Sequence, residues 1–190
     1  MQHEVGSFIR YQGLGAGEIV DIVERPFRGK PTRFLVIRFE HRDMQAQVPA
    51  EDEAVQQKIH PVLSARKLRS LLKRLEDGTA KILPRTWDHR EELGKAQLTR
   101  GGPEEWVELL ASYALAERQG VSILFADHEL IDTALTLVAA ELACAEGKPY
   151  AEMLAKLKER YTRASELVEP AGERAHFGSV KVGLAAASRS

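Results

Sequence analysis

The sequence has very little of several features that define common classes of protein. It contains one cysteine, Cys144, in 190 residues, so an internal disulfide framework is excluded and a buried thiol in a reducing cytosol is expected. No window approaches eighteen consecutive apolar residues, and the first residues lack a basic segment followed by an apolar one, so we expect neither a membrane span nor a signal peptide. The net charge is only −1, so any contact with DNA must be local or assisted by a partner.

Motifs for catalysis and for metal binding are also missing. None of the six histidines forms an HxxxH pair or joins a cysteine pair, so we expect no metal and no cofactor. The sequence has no P-loop and no nucleophile elbow. Gly13, Gly15 and Gly17 precede a strand-like segment rather than a helix, which indicates a tight turn and not a dinucleotide-binding loop. The protein is therefore not expected to be an enzyme.

The first sixty residues carry short strand-like segments. The valine, isoleucine and phenylalanine content predicts strands at 17–24, 33–40 and 43–50, separated by turn residues at 25–31 and by a shorter turn after the second segment. The segment RFLVIRFE, residues 33–40, is apolar on both alternating faces, as a central strand of a small barrel is. This part of the chain is predicted to form a small β-barrel.

Helical signals begin near residue 60. The segment 64–78 starts at a candidate N-cap, Ser64, ends at Gly78 and has a strongly basic face. The opposite face carries leucines at helical spacing: Leu68, Leu71, Leu72 and Leu75. We predict a basic helix that links two domains.

Three further helices are predicted, at 103–120, 127–147 and 149–161. Trp106 lies in the apolar stripe of the first of these helices and is expected in the core. The second is apolar over most of its circumference, which is typical of the central helix of a bundle. From about residue 166 glycine, alanine and serine dominate without periodicity, which is typical of a mobile tail.

These segments predict the fold class and the domain boundaries. We expect an α+β protein of two domains, with the β-barrel at 1–60 and a compact helical bundle at 85–165. The basic helix and its connection occupy 61–84, and the tail occupies 166–190.

Trp87 stands among polar residues, and a structural role is one explanation for it. Asp88 and Glu91 have capping-box spacing, so a helix is predicted to begin at Asp88. A hydrophobic residue before an N-cap often packs on the fourth helical residue. That residue is Glu92, which is not apolar, although Leu93 is an alternative partner for the ring.

A functional role uses the same position. An aromatic side chain at a helix N-terminus, between Arg85 and Arg90, presents an apolar wedge beside cations and backbone N–H groups that bind phosphate. Such a wedge fits a DNA minor groove. On sequence grounds both roles remain open for Trp87.

Charge is distributed unevenly around this tryptophan. Residues 80–165 carry 11 Lys and Arg against 14 Asp and Glu, a net charge of −3, so the helical domain should bind free DNA poorly. Residues 58–90 carry nine basic residues against three acidic ones. The basic residues are Lys58, Arg66, Lys67, Arg69, Lys73, Arg74, Lys81, Arg85 and Arg90. This basic run is either a solvated helix face or an electrostatic route that leads to Trp87.

One order of segments extends along both predicted domains. VGSFIRYQGLGAGEIVDIVE is followed by RFLVIRFEHRDMQAQVPAED, a linker helix, a tryptophan with basic residues after it, and a helical domain that contains AAELACA. This arrangement, over about residues 4–163, resembles the CarD and CdnL transcription regulators of bacteria. The resemblance is spread over many positions rather than concentrated in one short motif.

The resemblance implies a Tudor-like N-terminal domain that docks on the β subunit of RNA polymerase. It also implies a helical domain that meets promoter DNA at the upstream edge of the melted region. There a tryptophan that matches Trp87 enters the minor groove and slows collapse of the bubble. A protein of this kind works in the cytoplasm, on the nucleoid with polymerase, without a membrane or a cofactor, and we expect a monomer.

The same resemblance assigns residues to each contact. The expected DNA-contacting residues are Trp87, Arg85, His89 and Arg90. The expected polymerase-contacting residues are Arg25, Arg28 and Gln47. Gln47 falls where some relatives carry a second arginine, and Glu92 stands near a position that is basic in relatives, so both contacts have less charge here. The alternative is an adapter that docks through the barrel while its acidic helical domain recruits a protein rather than DNA.

Overall fold

A computed structural model describes residues 3–167 and shows an α+β protein, in which an antiparallel sheet is followed by helices. The five strands are β1 (Phe8–Tyr11), β2 (Gly15–Phe27), β3 (Lys30–Phe39), β4 (Met44–Pro49) and β5 (Ile59–Pro61). Their order across the sheet is β4-β3-β2-β1-β5, and every neighbouring pair is antiparallel. The predicted α+β class and the three predicted strands are confirmed, whereas the short strands β1 and β5 were not predicted.

The long hairpin of β2 and β3 extends further than the sequence predicts. The strands pair as far as Phe27 and Lys30, and Pro26 faces Pro31 in a stretch predicted as a turn. The two turn residues, Arg28 and Gly29, have φ angles of 51° and 77°, as a two-residue hairpin turn of type I′ requires. Phe27 and Lys30 form the pair that closes the turn. The next pair, Pro26 and Pro31, occupies a position at which paired residues exchange no backbone hydrogen bonds, so prolines are tolerated there.

The sheet is open rather than closed into the expected barrel. Within the described chain β4 pairs only with β3, and β5 pairs only with β1. Since β5 has three residues and lies at the edge opposite β4, no ladder joins the two edges. One face of the sheet carries the apolar cluster in which Leu35, Ile37 and Phe39 are completely buried.

Six α-helices occur among the described residues. They are α1 (Glu53–Gln56), α2 (Ala65–Leu71), α3 (Trp87–Arg100), α4 (Pro103–Arg118), α5 (Phe125–Glu146) and α6 (Tyr150–Ser165). The predicted N-cap of α2 is confirmed, since Ser64 Oγ accepts a hydrogen bond from the N–H of Lys67 at 3.3 Å. Trp106 of α4 is 1% exposed, as predicted for a core residue.

The predicted linker is packed into the helical core. Helix α2 continues as a 3₁₀ turn (Leu72–Leu75), and Leu68, Leu72 and Leu75 are buried in the same apolar cluster as α4, α5 and α6. Residues 65–75 are therefore part of the helical unit and not a free connection. No helix within residues 3–167 has the length and apolar character needed to cross a membrane. The tail predicted from residue 166 lies, from residue 168 onward, outside the described residues.

The sheet and the helices meet closely at Gly15. Its φ is 94°, which favours glycine, and a Cβ atom there would lie 2.8 Å from Cδ2 of Leu137 on α5 and 3.1 Å from Nε2 of His41. The predicted turn around Gly13 and Gly15 is confirmed, because both have positive φ. Gly15 therefore allows the start of β2 to approach α5.

We expect Gly15→Ala to destabilise the protein more than Gly120→Ala. Gly120 also has a positive φ, 73°, but nothing lies within 4 Å of its would-be Cβ. Gly120→Ala should cost about 1 kcal/mol for backbone strain, and Gly15→Ala about 1–3 kcal/mol more for the added overlap. Urea denaturation of both variants measures the difference. Equal losses of unfolding free energy in the two variants would show that α5 does not constrain Gly15.

Candidate functional site

The N-cap of helix α3 lies two residues earlier than predicted. The N-cap is Thr86 and the first residue of the helix is Trp87, so the predicted start at Asp88 is wrong. The N–H of Arg90 donates to the carbonyl of Thr86 at 3.2 Å, which closes the first turn. Glu91, which the expected capping box needs, instead accepts a hydrogen bond from Lys95 at 2.6 Å.

The indole of Trp87 is half-buried and packs against the helical core. Leu93, the alternative partner, is 44% exposed. The guanidinium carbon of Arg90 lies 6.0 Å from the centre of the indole ring. Trp87 is thus held by packing along part of its surface and remains accessible along the rest, so the structural and functional roles are compatible.

Arg90 is not available for the phosphate contact that the sequence predicted. It is 8% exposed, and its guanidinium forms two hydrogen bonds with Asp127, Nε to Oδ1 at 2.9 Å and Nη2 to Oδ2 at 3.0 Å. Its Nη1 also donates to the carbonyl of Arg85 at 3.3 Å. A bidentate, buried pair of this kind leaves no free charge. Arg90 is therefore not expected to contact DNA. Instead it orders the start of α3.

Asp127 is completely buried and accepts hydrogen bonds from three partners. Besides Arg90, the hydroxyl of Tyr113 donates to Oδ1 at 2.7 Å and the N–H of Leu124 donates to Oδ2 at 2.9 Å. Burial alone would raise the pKa of Asp127, but these hydrogen bonds and the positive charge of Arg90 outweigh burial and lower the pKa. The carboxylate therefore holds the N-termini of α3 and α5 together.

Exposed apolar side chains lie at this end of the helices. Phe125, the first residue of α5, is 83% exposed, and Ile82, in the connection that leads to Trp87, is 81% exposed. The predicted candidates Arg85 and His89 are both exposed here. Sequence reasoning missed Phe125, because an aromatic residue just before a long apolar helix is an ordinary core signal. The exposed apolar surface beside basic side chains suits binding to a partner.

Much of the basic run is neutralised by acidic residues of the helices. Four of its nine cations form ion pairs: Lys67 with Glu104, Arg69 with Glu146, Arg74 with Glu108 and Arg90 with Asp127. Exposed basic side chains outside these pairs include Arg66, Lys73, Lys81 and Arg85. The structure thus favours a solvated helix face over a continuous electrostatic route to Trp87.

The three residues predicted to contact polymerase lie on the sheet, away from the core. Arg25 of β2 pairs with Thr32 of β3, and Gln47 of β4 pairs with Val36 along the opposite edge of β3. Because alternate residues share a face, Arg25 and Gln47 lie on the face opposite Leu35 and Ile37, about 13 Å apart along the strand direction. Arg28 lies at the tip of the hairpin.

This outward face combines apolar and polar side chains. Phe27 is 41% exposed and meets Phe34 edge to face at 5.7 Å between ring centroids. The guanidinium carbon of Arg28 lies 5.1 Å from the centre of the Phe27 ring. We define Arg25, Phe27, Phe34 and Gln47 as the outer sheet face. Its aromatic pair and adjacent cations are typical of a surface that binds protein.

Two further observations bear on chemistry. Among residues 3–167 no group of three or more histidine, cysteine or carboxylate side chains is placed to hold a metal ion. Cys144 is partly buried, and burial, with a smaller effect of nearby carboxylates, raises the pKa of its thiol to about 12. Burial therefore favours the protonated thiol at neutral pH, and the thiolate is the nucleophilic form.

We expect Arg90→Ala to cost about 3–5 kcal/mol of stability, because it leaves the buried carboxylate of Asp127 without its cation. Arg85→Ala is the matched control: Arg85 is exposed and five residues away, and its loss should cost less than about 0.5 kcal/mol. Denaturant unfolding measures both. A small loss for Arg90→Ala would mean that Arg90 is free for another contact.

The stability that Asp127 contributes should depend on pH. Its pKa in the folded protein lies below the ordinary value of 3.8, so the contribution is complete above that value and is lost as pH falls through the folded pKa. Asp127→Asn should therefore differ from the parent most at pH 7, and the difference should shrink below about pH 4. Unfolding free energies at several pH values measure this. A difference that stays constant with pH would contradict the ionised state of Asp127.

Comparison with known proteins does not assign a function to the chain. No family model matches the sequence, and the search of curated proteins gives no match. The end of the helices around Trp87 and the outer sheet face are the basis of the proposed function.

Proposed function

We propose that this protein is a regulator of transcription initiation of the CarD and CdnL type. In this proposal the sheet is a Tudor-like module that docks on the β subunit of RNA polymerase. The helical unit contacts promoter DNA at the upstream edge of the melted region, where Trp87 stabilises the open complex. The protein acts as a cytoplasmic monomer, associated with the nucleoid through polymerase.

The observation that carries the proposal is the end of the helical unit around Trp87. A partly accessible indole, the exposed ring of Phe125 and the exposed basic side chains of Arg85 and His89 lie where α3 and α5 begin. Minor-groove proteins combine such apolar wedges with basic side chains, and unstacked base steps accept the wedge. Helix N-termini add backbone N–H groups that favour phosphate.

Two separate apolar clusters support the modular part of the proposal. One lies on the sheet and includes Ile19 and Phe39, and the other lies among the helices and includes Trp106. The side chains of the outer sheet face belong to neither cluster, and in this proposal they bind the partner. A docking module and a DNA-contacting module therefore each have their own core and their own exposed surface.

The mechanism needs no chemical step. Promoter melting is an equilibrium, and a protein that binds the distorted fork better than closed duplex shifts that equilibrium by its differential affinity. Inserting an apolar wedge costs a few kcal/mol per base step in undistorted DNA. Polymerase has already distorted the fork, so the wedge meets a site where most of this cost is absent.

Docking compensates for weak attraction to DNA. The helical region carries a net charge of −3 over residues 80–165, and Arg90 is held by Asp127. A protein held on polymerase has an effective concentration at the fork of roughly millimolar, so weak contacts suffice. Partner binding supplies the affinity, and Trp87 supplies the selectivity for distorted DNA.

A second candidate function is an adapter that docks through the sheet and recruits a protein through its helices. The exposed acidic side chains of Glu129 and Asp132 on α5 favour this alternative, because they repel phosphate. An adapter would act without contact between Trp87 and DNA.

The test is the lifetime of open promoter complexes formed by the cognate RNA polymerase. We expect the protein to lengthen this lifetime and Trp87→Ala to abolish the gain while still binding polymerase. Because Trp87 packs on the core, Trp87→Phe is tested beside it, and both variants must unfold cooperatively. Leu93→Ala, an exposed apolar change on the same helix, is the control that should keep the gain.

A second arm tests the docking surface. Arg25→Glu should weaken binding to the polymerase β subunit and so remove the effect on lifetime, whereas Trp87→Ala should leave that binding intact. If the protein binds polymerase and neither it nor Trp87→Ala alters the lifetime, the fork-stabilising function is wrong and the adapter function is favoured.

A further inference from the structure

A buried carboxylate on α5 contacts both the sheet and the segment between β5 and α2. Glu141 of α5 is 0% exposed. Its Oε1 accepts a hydrogen bond from Nη1 of Arg10 on β1 at 3.0 Å and a second from the N–H of Leu63 at 2.8 Å. Arg10 is 131 residues away in the chain. One oxygen atom is therefore shared by three segments that are distant in the sequence.

Other contacts surround this point. Gly15 approaches Leu137 one turn before Glu141 on the same face of α5. Nε2 of His41, which follows β3, donates a hydrogen bond to the carbonyl of Leu14 at 2.8 Å, and the His41 ring centroid lies 6.0 Å from that of Tyr150 on α6. The sheet thus meets the helices through a small contact that combines polar and aromatic side chains with Leu137 of the helical apolar cluster.

Stability alone does not explain an acid at this position. Burial raises the pKa of Glu141 above its usual value, although the N–H of Leu63 and the charge of Arg10 act in the opposite direction. Its Oε2 is buried and has no hydrogen-bond partner among the described residues. Ionised Glu141 is therefore not in its most stable environment. Buried ion pairs often stabilise less than apolar packing, and their best-attested role is to select one arrangement of parts.

We propose that Glu141 is a positioning residue that fixes the sheet in one orientation on the helices through Arg10 and Leu63. The outer sheet face and Trp87 are then held at one distance and angle, as two ends of a rigid body. The orientation follows from the contacts above, and its importance for the open complex rests on the proposed function. With the contact broken, docking on polymerase would no longer deliver Trp87 to a single place.

The orientation is tested on the free protein by pulsed electron paramagnetic resonance. Spin labels are attached at Lys30→Cys on the sheet and Glu129→Cys on α5, both exposed positions, in a Cys144→Ala background. We expect one narrow distance distribution. Glu141→Gln and Arg10→Met should broaden it or add a second maximum, while Arg10→Lys, which keeps the charge, should leave it narrow.

The control variant Glu159→Gln breaks an exposed ion pair with Arg163 within α6 and should leave the distribution unchanged. Every variant must unfold cooperatively, and if Glu141→Gln does not fold, Arg10→Met decides. A distribution as narrow as the parent's in folded Arg10→Met would overturn the proposal.

Open-complex lifetimes then separate this inference from the function on which it rests. If the parent lengthens the lifetime, Arg10→Met should reduce that gain about fivefold, at the lower end of typical coupling between sites. If Arg10→Met broadens the spin-label distance distribution but leaves the gain in open-complex lifetime undiminished, a fixed orientation is not needed for function. If the parent has no effect on lifetime, the proposed function fails, and the distance measurement still decides the role of Glu141.

Discussion

The geometry of the candidate site depends on the buried carboxylate of Asp127. Two hydrogen bonds from Arg90, one from Tyr113 and one from the N–H of Leu124 converge on its two oxygens. Since a buried charge is costly unless it is paired, this network has one satisfied arrangement and holds α3, α4 and α5 to it. The first turn of α3, with Trp87, and the exposed Phe125 at the start of α5 are fixed as a consequence. A rigid support of this kind is what a wedge needs, because an ordered side chain loses little entropy when it binds.

Periodicity predicted most of the secondary structure but not the buried polar contacts. The leucine spacing of α2, the cap at Ser64 and the core position of Trp106 follow from local rules, and the structure has all three. Sequence reasoning failed where a distant residue decides the outcome. Arg90 is a charged residue beside a tryptophan in the sequence, and only the fold places Asp127, 37 residues later, against it. The open edges of the sheet were likewise invisible, because strand patterns do not reveal which strands lack a partner.

The proposed function requires two binding surfaces and one contact that fixes their relative position. In this proposal the outer sheet face binds polymerase, and the end of the helical unit binds the fork. Glu141, Arg10 and Leu63 hold these surfaces in one relation to each other. Ion pairs neutralise part of the basic helix, so attraction to bulk DNA is weak, and a regulator that depends on polymerase for its location gains selectivity from that weakness.

The central claim is that the region around Trp87 touches promoter DNA only when polymerase holds the protein there. Site-specific photocrosslinking from the exposed position Arg85 tests this claim most directly. A photoreactive phenylalanine at Arg85 should crosslink to DNA at the upstream edge of the bubble when polymerase is present, and not when the same DNA is free. Crosslinks to protein alone, with none to DNA in the open complex, would contradict the account and identify the helical unit as an adapter.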